Sequence, residues 1–190
     1  MPRVSRQQAD LNREAIKHAA ARLYRERGFD GVGIPEITRA AGLTHGSFYG
    51  HFQSKEALAA EALATAIDSG LQRWDQRAAE GGREGLIRGY LTARNRDTPG
   101  DACPIAALAG DMARQPADAA TRRVFSQAIT MLLEKLAAVQ ADGPAELGEQ
   151  KALTDLAAMV GALLLARATA GSDVSDRFLS LVGTELIDRN

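Results

Sequence analysis

Ile34-Pro35-Glu36-Ile37-Thr38-Arg39-Ala40-Ala41-Gly42-Leu43-Thr44-His45-Gly46-Ser47-Phe48-Tyr49-Gly50-His51-Phe52 reads as two short helices joined by a tight turn. Pro35 suits a first helical turn, where a missing amide proton costs nothing. Ile37 and Ala41 then share one face. Ala40 and Ala41 are small enough for a second helix to cross closely, and Gly42 can take the positive φ of a sharp turn. Thr44 is a good N-cap for a second helix running to about Phe52. Leu43, Phe48 and Phe52 pin that helix to what lies beneath, Phe48 and Phe52 being one turn apart. A two-turn helix, a glycine-containing turn and a short second helix form a helix-turn-helix unit.

Working outward, Ile16, Ala19, Ala20, Leu23 and Tyr24 recur at helical spacing, predicting a helix from about Asp10 to Arg27 that Gly28 stops. Ser54 caps a fourth helix to about Ala79, and Glu80-Gly81-Gly82 breaks it. Further helices are expected over Arg83–Arg96, Pro104–Arg114, Ala117–Val139, Leu147–Ala170 and Ser175–Asp188, separated by turns at Pro99-Gly100, Gln115-Pro116, Asp142-Gly143-Pro144 and Gly171. The fold class is therefore all-α with about nine helices. A three-helix head over residues 1–54 is joined to a larger body over residues 55–190.

Pinning by the two phenylalanines exposes Thr44, His45, Gly46 and Ser47, short polar residues where a recognition helix meets base edges. Gly46 brings the backbone close to a duplex. Tyr49, His51 and Lys55 flank this patch with groups that donate to phosphate oxygens, and Arg39 is the best placed of the remaining arginines for a phosphate. Thr44 is read as cap and DNA contact together. Arg13 and Arg22 are read as solvated, and Arg3 and Arg6 as an arm able to reach a minor groove.

Leu43-Thr44-His45-Gly46-Ser47-Phe48-Tyr49-Gly50-His51-Phe52-Gln53-Ser54-Lys55-Glu56-Ala57-Leu58, with Gly28-Phe29, Ile37 and Ala41-Gly42 before it, resembles the signature of the tetracycline-repressor (TetR) family. The resemblance implies an all-helical homodimer that binds a double-stranded DNA operator and is released by a small-molecule effector held in the body. His45 stands where family members often carry lysine, Gly50 where they carry a bulky residue, and Gly33 where Ser or Thr caps the second helix. A different operator sequence follows from these departures. The helices that build the family's pocket carry Leu71, Trp74, Leu86 and Tyr90, followed by Met112, Phe125 and Met131, so a mainly apolar effector is expected. Singly, each of these residues reads as ordinary core.

Leu153, Leu156, Val160 and Leu164 form an apolar stripe on the eighth helix, and Phe178, Val182 and Leu186 one on the ninth. One subunit cannot easily cover both, so a four-helix dimer interface is expected. Cys103 precedes Pro104 and therefore sits at a helix N-cap, where the dipole favours a thiolate. A redox- or electrophile-responsive repressor acting through Cys103 is the alternative reading, weighed against a cysteine that only packs.

Apolar residues are 45% of 190, enough for a core, and there is a single cysteine, which excludes an internal disulfide. From Met1 to Glu56 nine Arg and Lys face six Asp and Glu, leaving +3, and the remainder carries −4. A mildly basic head on an acidic body suits a polyanionic partner at one end. Met1–Asn12 is polar and no apolar run reaches the ~20 residues of a membrane span, so a cytoplasmic protein without membrane contact is expected. His18, His45 and His51 lack the spacing of a metal cluster. No acid–base or nucleophilic set is visible, so neither an enzyme nor a metal or other cofactor is expected. A purely architectural DNA binder would not need a body of this size.

Overall fold

The computed structural model describes residues 5–140 and 144–189. Among the described residues the chain forms eight α-helices and one 3-10 helix, with no strand. Helix α1 spans Arg6–Arg27. Ser5 caps it by accepting from the Gln8 amide, so the helix begins a turn earlier than the apolar spacing predicts. Arg6 is therefore helical rather than part of an arm, and Arg3 lies outside the described residues. Gly28 ends α1 at φ +75°, donating its amide to the Tyr24 carbonyl.

Helix α2 spans Ile34–Ala40 behind Gly33, whose side is bare of any capping bond, with Pro35 in the first turn. Buried Thr38 donates its hydroxyl to the Ile34 and Pro35 carbonyls, and the Leu43 amide donates back to the Thr38 carbonyl across Gly42, which takes φ +73°. This turn delivers a 3-10 helix over His45–Gly50, where the sequence predicts a short helix to about Phe52.

Helix α3 spans Lys55–Tyr90 and is interrupted at Gly81-Gly82, where Gly82 adopts φ +56°. The segment after the break stops at Tyr90 rather than Arg96, because Thr92 caps a separate short helix α4, Ala93–Asp97. Helices α5 (Pro104–Arg114), α6 (Ala120–Ala138), α7 (Ala145–Ala168) and α8 (Asp173–Asp188) follow. Of the turn expected at 142–144, Asp142 and Gly143 lie outside the described residues.

Helix α1 packs on α3, α3 on α6, and α7 between α6 and α8. Ile16, Tyr24, Ile37, Phe48 and Leu58 are essentially inaccessible and join head to body in one continuous core. Each such side chain contributes about 1.5–3 kcal/mol on burial. Among the described residues no helix is long and apolar enough to cross a membrane.

Candidate nucleic-acid interface

The 3-10 helix is held from below. Phe48 is fully buried and Phe52 is 4% exposed, their rings stacked 5.7 Å apart, while Tyr49 between them is 65% exposed. Tyr49 stands edge-on to His45 at 5.7 Å and to Phe48 at 5.2 Å. The buried pair thus fixes the direction of an exposed phenol and imidazole.

Thr44 occupies the N-cap with extended backbone, but its hydroxyl caps no amide. The tighter 3-10 turn satisfies the Ser47 amide with the Thr44 carbonyl at 3.0 Å, freeing the Thr44 hydroxyl to bond the Ser47 hydroxyl, also at 3.0 Å. Thr44, His45 and Gly46 are exposed, Ser47 and His51 half-buried, and Arg39 exposed at the end of α2. Side chains at Gly46 or Gly50 would meet nothing within 4 Å, so both glycines flatten an open surface.

Lys55 is the first residue of α3, capped by Ser54, which accepts from the Ala57 amide at 3.1 Å. It is half-buried and borders a crevice of about 380 Å³ between Phe29 and Asp30 of the head and Gln115 and Pro116 of the body. Glu56 beside it is held below the usual carboxylate range by its own backbone amide and then by the Ser54 side chain.

A second, smaller cavity of about 20 Å³ lies within the body. Leu71, Trp74 and Tyr90 line it, together with Ile67, Ile105, Ala128 and Leu132. The other four expected lining residues do not. Leu86 is buried in the core; Met112 and Phe125 line a separate surface groove with Ala109 and Ile129; Met131 is 43% exposed. The reason for Met131 is register: α6 turns Ala128, Leu132 and Leu136 inward, a face that omits residue 131.

The cavity is also more polar than its apolar spacing suggests. Arg73, Arg77, Asn95 and Cys103 stand in its wall. Sequence reasoning missed the two arginines, although Leu71, Trp74 and Arg77 follow one another at helical spacing. Tyr90 is 1% exposed and its hydroxyl has no hydrogen-bond partner among the described residues. Burial, then the neighbouring Cys103 charge, pushes Tyr90 well above the ordinary phenol range. Cys103 is the N-cap of α5 and half-buried, as the Pro104 position predicts, with no side-chain capping bond. No Lys or Arg is near it in sequence, yet the fold brings Arg25, Arg77 and Arg167 close enough to feel its charge.

Of the seven residues expected at a dimer interface, Leu153 and Leu164 are exposed and Val160, Phe178 and Val182 half-buried. Leu156 and Leu186 are buried against their own subunit at 6% and 2%, because α7 and α8 turn that side toward the core. Leu165 and Leu181 are exposed as well.

The model of the family described as "Bacterial regulatory proteins, tetR family" matches residues 16–62, which hold the whole helix-turn-helix unit. The HTH-type transcriptional regulator AcrR of Shigella flexneri is 38% identical over 61 residues, 32% of this chain and 28% of that protein. The HTH-type transcriptional repressor NemR of Escherichia coli is 31% identical over 98 residues, 52% of this chain and 48% of that protein. The chain thus spans about half or less of the length of these curated relatives. A TetR-family regulator from Cytophaga hutchinsonii superposes over 98% of this chain and 97% of its own with a TM-score of 0.76 at 21% identity. The reduced form of E. coli NemR does so over 90% and 94%, with a TM-score of 0.71 at 22% identity. At these identities the likeness of the body is one of fold.

Proposed function

We propose that this chain, a TetR-family transcriptional regulator with a DNA-binding helix-turn-helix head, binds a pseudo-palindromic operator as a homodimer and leaves it when a small molecule occupies the body cavity. In this reading residues 1–54 are the DNA head and residues 55–190 the effector and dimerisation body. Thr44, His45 and Ser47 read bases, Gly46 admits close approach, and Arg39, Tyr49, His51 and Lys55 hold phosphates.

One observation carries the effector reading: α5 begins on the cavity wall and ends against the head. Pro104 and Ile105 line the cavity. At the other end, a side chain at Gly28 would meet the Asp111 carboxylate at 3.1 Å, so the C-terminus of α1 rests on α5. The loop before α5 is equally close: a side chain at Gly100 would lie 2.5 Å from Glu26 and 2.8 Å from Arg22, and Arg25 donates to the Gly100 carbonyl. A ligand that displaces Pro104 therefore pushes on α1 from two places. A coupling of about 1–3 kcal/mol suffices for a working switch.

The test begins with selection of duplexes from a random pool by the purified protein. Enrichment of a two-fold symmetric site is expected, with one half-site per subunit. Recovery of no sequence preference would remove the operator reading.

A second reading places the switch at Cys103. The thiol shares the cavity wall with Arg77 and sits at the hinge between loop and α5, and NemR has been solved in a form named as reduced. Alkylation by iodoacetamide, in which the sulfur displaces iodide, would add bulk at that hinge. Loss of operator affinity after alkylation, absent in Cys103→Ser, supports this reading; unchanged affinity at full alkylation removes it.

A further inference from the structure

Two guanidinium groups, Arg73 and Arg77, line the body cavity, and two more, Arg25 and Arg167, lie within electrostatic reach of Cys103 in its wall. Arg73 and Arg77 stand in its wall, and among the described residues neither makes a hydrogen bond or an ion pair. Arg167 donates to the Asn95 carbonyl at 2.8 Å and Arg25 to the Gly100 carbonyl, yet each leaves a buried Nε with no partner. Burial, then the Arg73 charge, holds Arg25 and Arg77 below the ordinary guanidinium range, and burial does the same to Arg167. Glu80 acts on Arg77, and Asp101 and Glu26 on Arg25, but Glu80 is bonded to Gln76 and Glu26 to Arg22, and none of the three bonds either arginine. Gathered positive charge without a partner is unfavourable in a partly desolvated site, and it is normally compensated by an anion.

The fold makes room for this arrangement. A side chain at Gly89 would lie 2.6 Å from Cδ and Nε of Arg77, so the absence of one lets the guanidinium cross the helix 83–90 and reach the cavity. Tyr90, next in sequence, adds a buried hydroxyl beside the Cys103 thiol that is a donor at neutral pH. Leu71, Trp74 and Leu132 supply apolar wall to the same cavity.

We propose that the cavity binds a small organic anion, a carboxylate on an apolar body, with Arg73, Arg77 and the Tyr90 hydroxyl as its charge and hydrogen-bond partners; this names the ligand class of the effector site and rests on that reading. A carboxylate has two oxygens with lone pairs for several donors and matches a guanidinium in two-point geometry. At about 20 Å³ the cavity has room for about one water, so the ligand must widen it. Pro104, in the cavity wall, is the first residue of α5, so a ligand that widens the cavity at Pro104 moves α5.

Trp74 is the only tryptophan, so its emission reports the site directly. The full chain, free of DNA, is titrated at constant ionic strength with hexanoate and with phenylacetate, each against its neutral amide. A saturable change at Trp74 is expected with at least one acid, at least tenfold tighter than with its amide. Arg73→Gln and Arg77→Gln should each weaken it at least tenfold, and Gly89→Ala should do so by displacing Arg77. Arg88→Gln, on the exposed face beside Glu84, should leave it unchanged. Thermal midpoints of Arg73→Gln and Arg77→Gln should match or exceed the parent's, since each removes an unpaired charge. Amides that bind as tightly as their acids, or acids without saturable effect, overturn the proposal. Operator anisotropy run beside the titration separates the two readings. An acid that binds without releasing DNA keeps the anion site and removes the effector role; amides that bind equally and release DNA do the reverse.

Discussion

The guanidinium of Arg13 lies over the ring of Phe52, 4.5 Å from its centroid, while its two Nη atoms donate to both carboxylate oxygens of Glu61 at 2.6 and 2.7 Å. Arg13 belongs to α1, Phe52 closes the recognition segment and Glu61 belongs to α3, so one side chain ties the three together. Sequence spacing makes Arg13 a solvated residue, because it lies off the apolar face of α1; its work is done at the edge of the core. Arg13→Ala should lower stability by about 1 kcal/mol, combining a part-exposed cation–π contact and a screened ion pair. Operator affinity should fall with base preference intact. Urea midpoints and a base-substitution series check this; an altered preference would mean Arg13 reads DNA itself.

Glu61 is held below the usual carboxylate range, first by its hydrogen bond to Arg13. A carboxylate with a depressed folded pKa adds stability that is present above its unfolded value, about 4.3, and lost as pH falls through the folded one. Glu61→Gln should therefore cost under about 1 kcal/mol at pH 7, discounted for partial exposure. The gap to the parent should close in acid. Chemical unfolding from pH 7 down to the lowest pH at which the parent stays folded measures it. A gap that is constant with pH would show that the effect is packing.

Arg83 donates to both oxygens of Asp155, at 2.8 and 3.0 Å, and Gln140 adds a third bond at 3.1 Å. The side chains are only 14% and 5% exposed. This pair joins the helix after the Gly81-Gly82 break to the inward face of α7. Arg83→Ala strands a buried carboxylate and should cost about 3–5 kcal/mol, whereas the double replacement Arg83→Met with Asp155→Leu should recover much of it. A double variant as unstable as the single one would refute the stranded-charge account.

Local chemistry carried most of the head. Gly28, Pro35, Gly42, Ser54 and Pro104 act at helix ends through contacts within a turn or two, so their roles are visible in sequence. The 3-10 form of His45–Gly50 was not, since it depends on how Phe48 and Phe52 seat against α1 and α3. The cavity was half legible. Leu71 and Trp74 share an inward spacing that Arg77 continues, but composition alone reads arginine as solvent-facing. What admits Arg77 to the cavity is Gly89, twelve residues away, and sequence spacing has no means of pairing the two. Leu156 failed for a related reason: apolar residues are spread around α7, so periodicity does not say which side faces the core.

The exposed side of α7 and α8 is the side on which we expect a partner. Leu153, Leu164, Leu165 and Leu181 are 46–57% exposed, and a side chain at Gly161 between them would meet nothing within 4 Å. A patch of this kind suits a second copy of the chain. Leu164→Glu and Leu181→Glu should each give monomers with operator affinity reduced at least tenfold, at unchanged helix content. Leu156→Glu should instead unfold the body. Sedimentation showing dimers for both surface variants would move the interface elsewhere.

The recognition surface can be divided by salt. Each phosphate contact contributes about −0.9 to the slope of log affinity against log salt, so Lys55→Ala should flatten that slope by about 1 and weaken all sequences alike. Tyr49→Phe removes a neutral donor, so it should cost about 1–2 kcal/mol on every sequence while leaving the slope as it was. His45 and Tyr49 stand edge to edge, and this contact survives in Tyr49→Phe; a change in base preference there would mean that the phenol hydroxyl, and not only the ring, orients His45. Thr44 and Ser47 share one hydrogen bond. Ser47→Ala frees the Thr44 hydroxyl to turn, and discrimination at the base it reads should fall by about 1–3 kcal/mol without loss of non-specific affinity. The measurement is a matrix of single-base operator variants at three salt concentrations for each protein. Base-specific effects from Lys55→Ala, or uniform effects from Ser47→Ala, would exchange the roles assigned to the two ends of the segment.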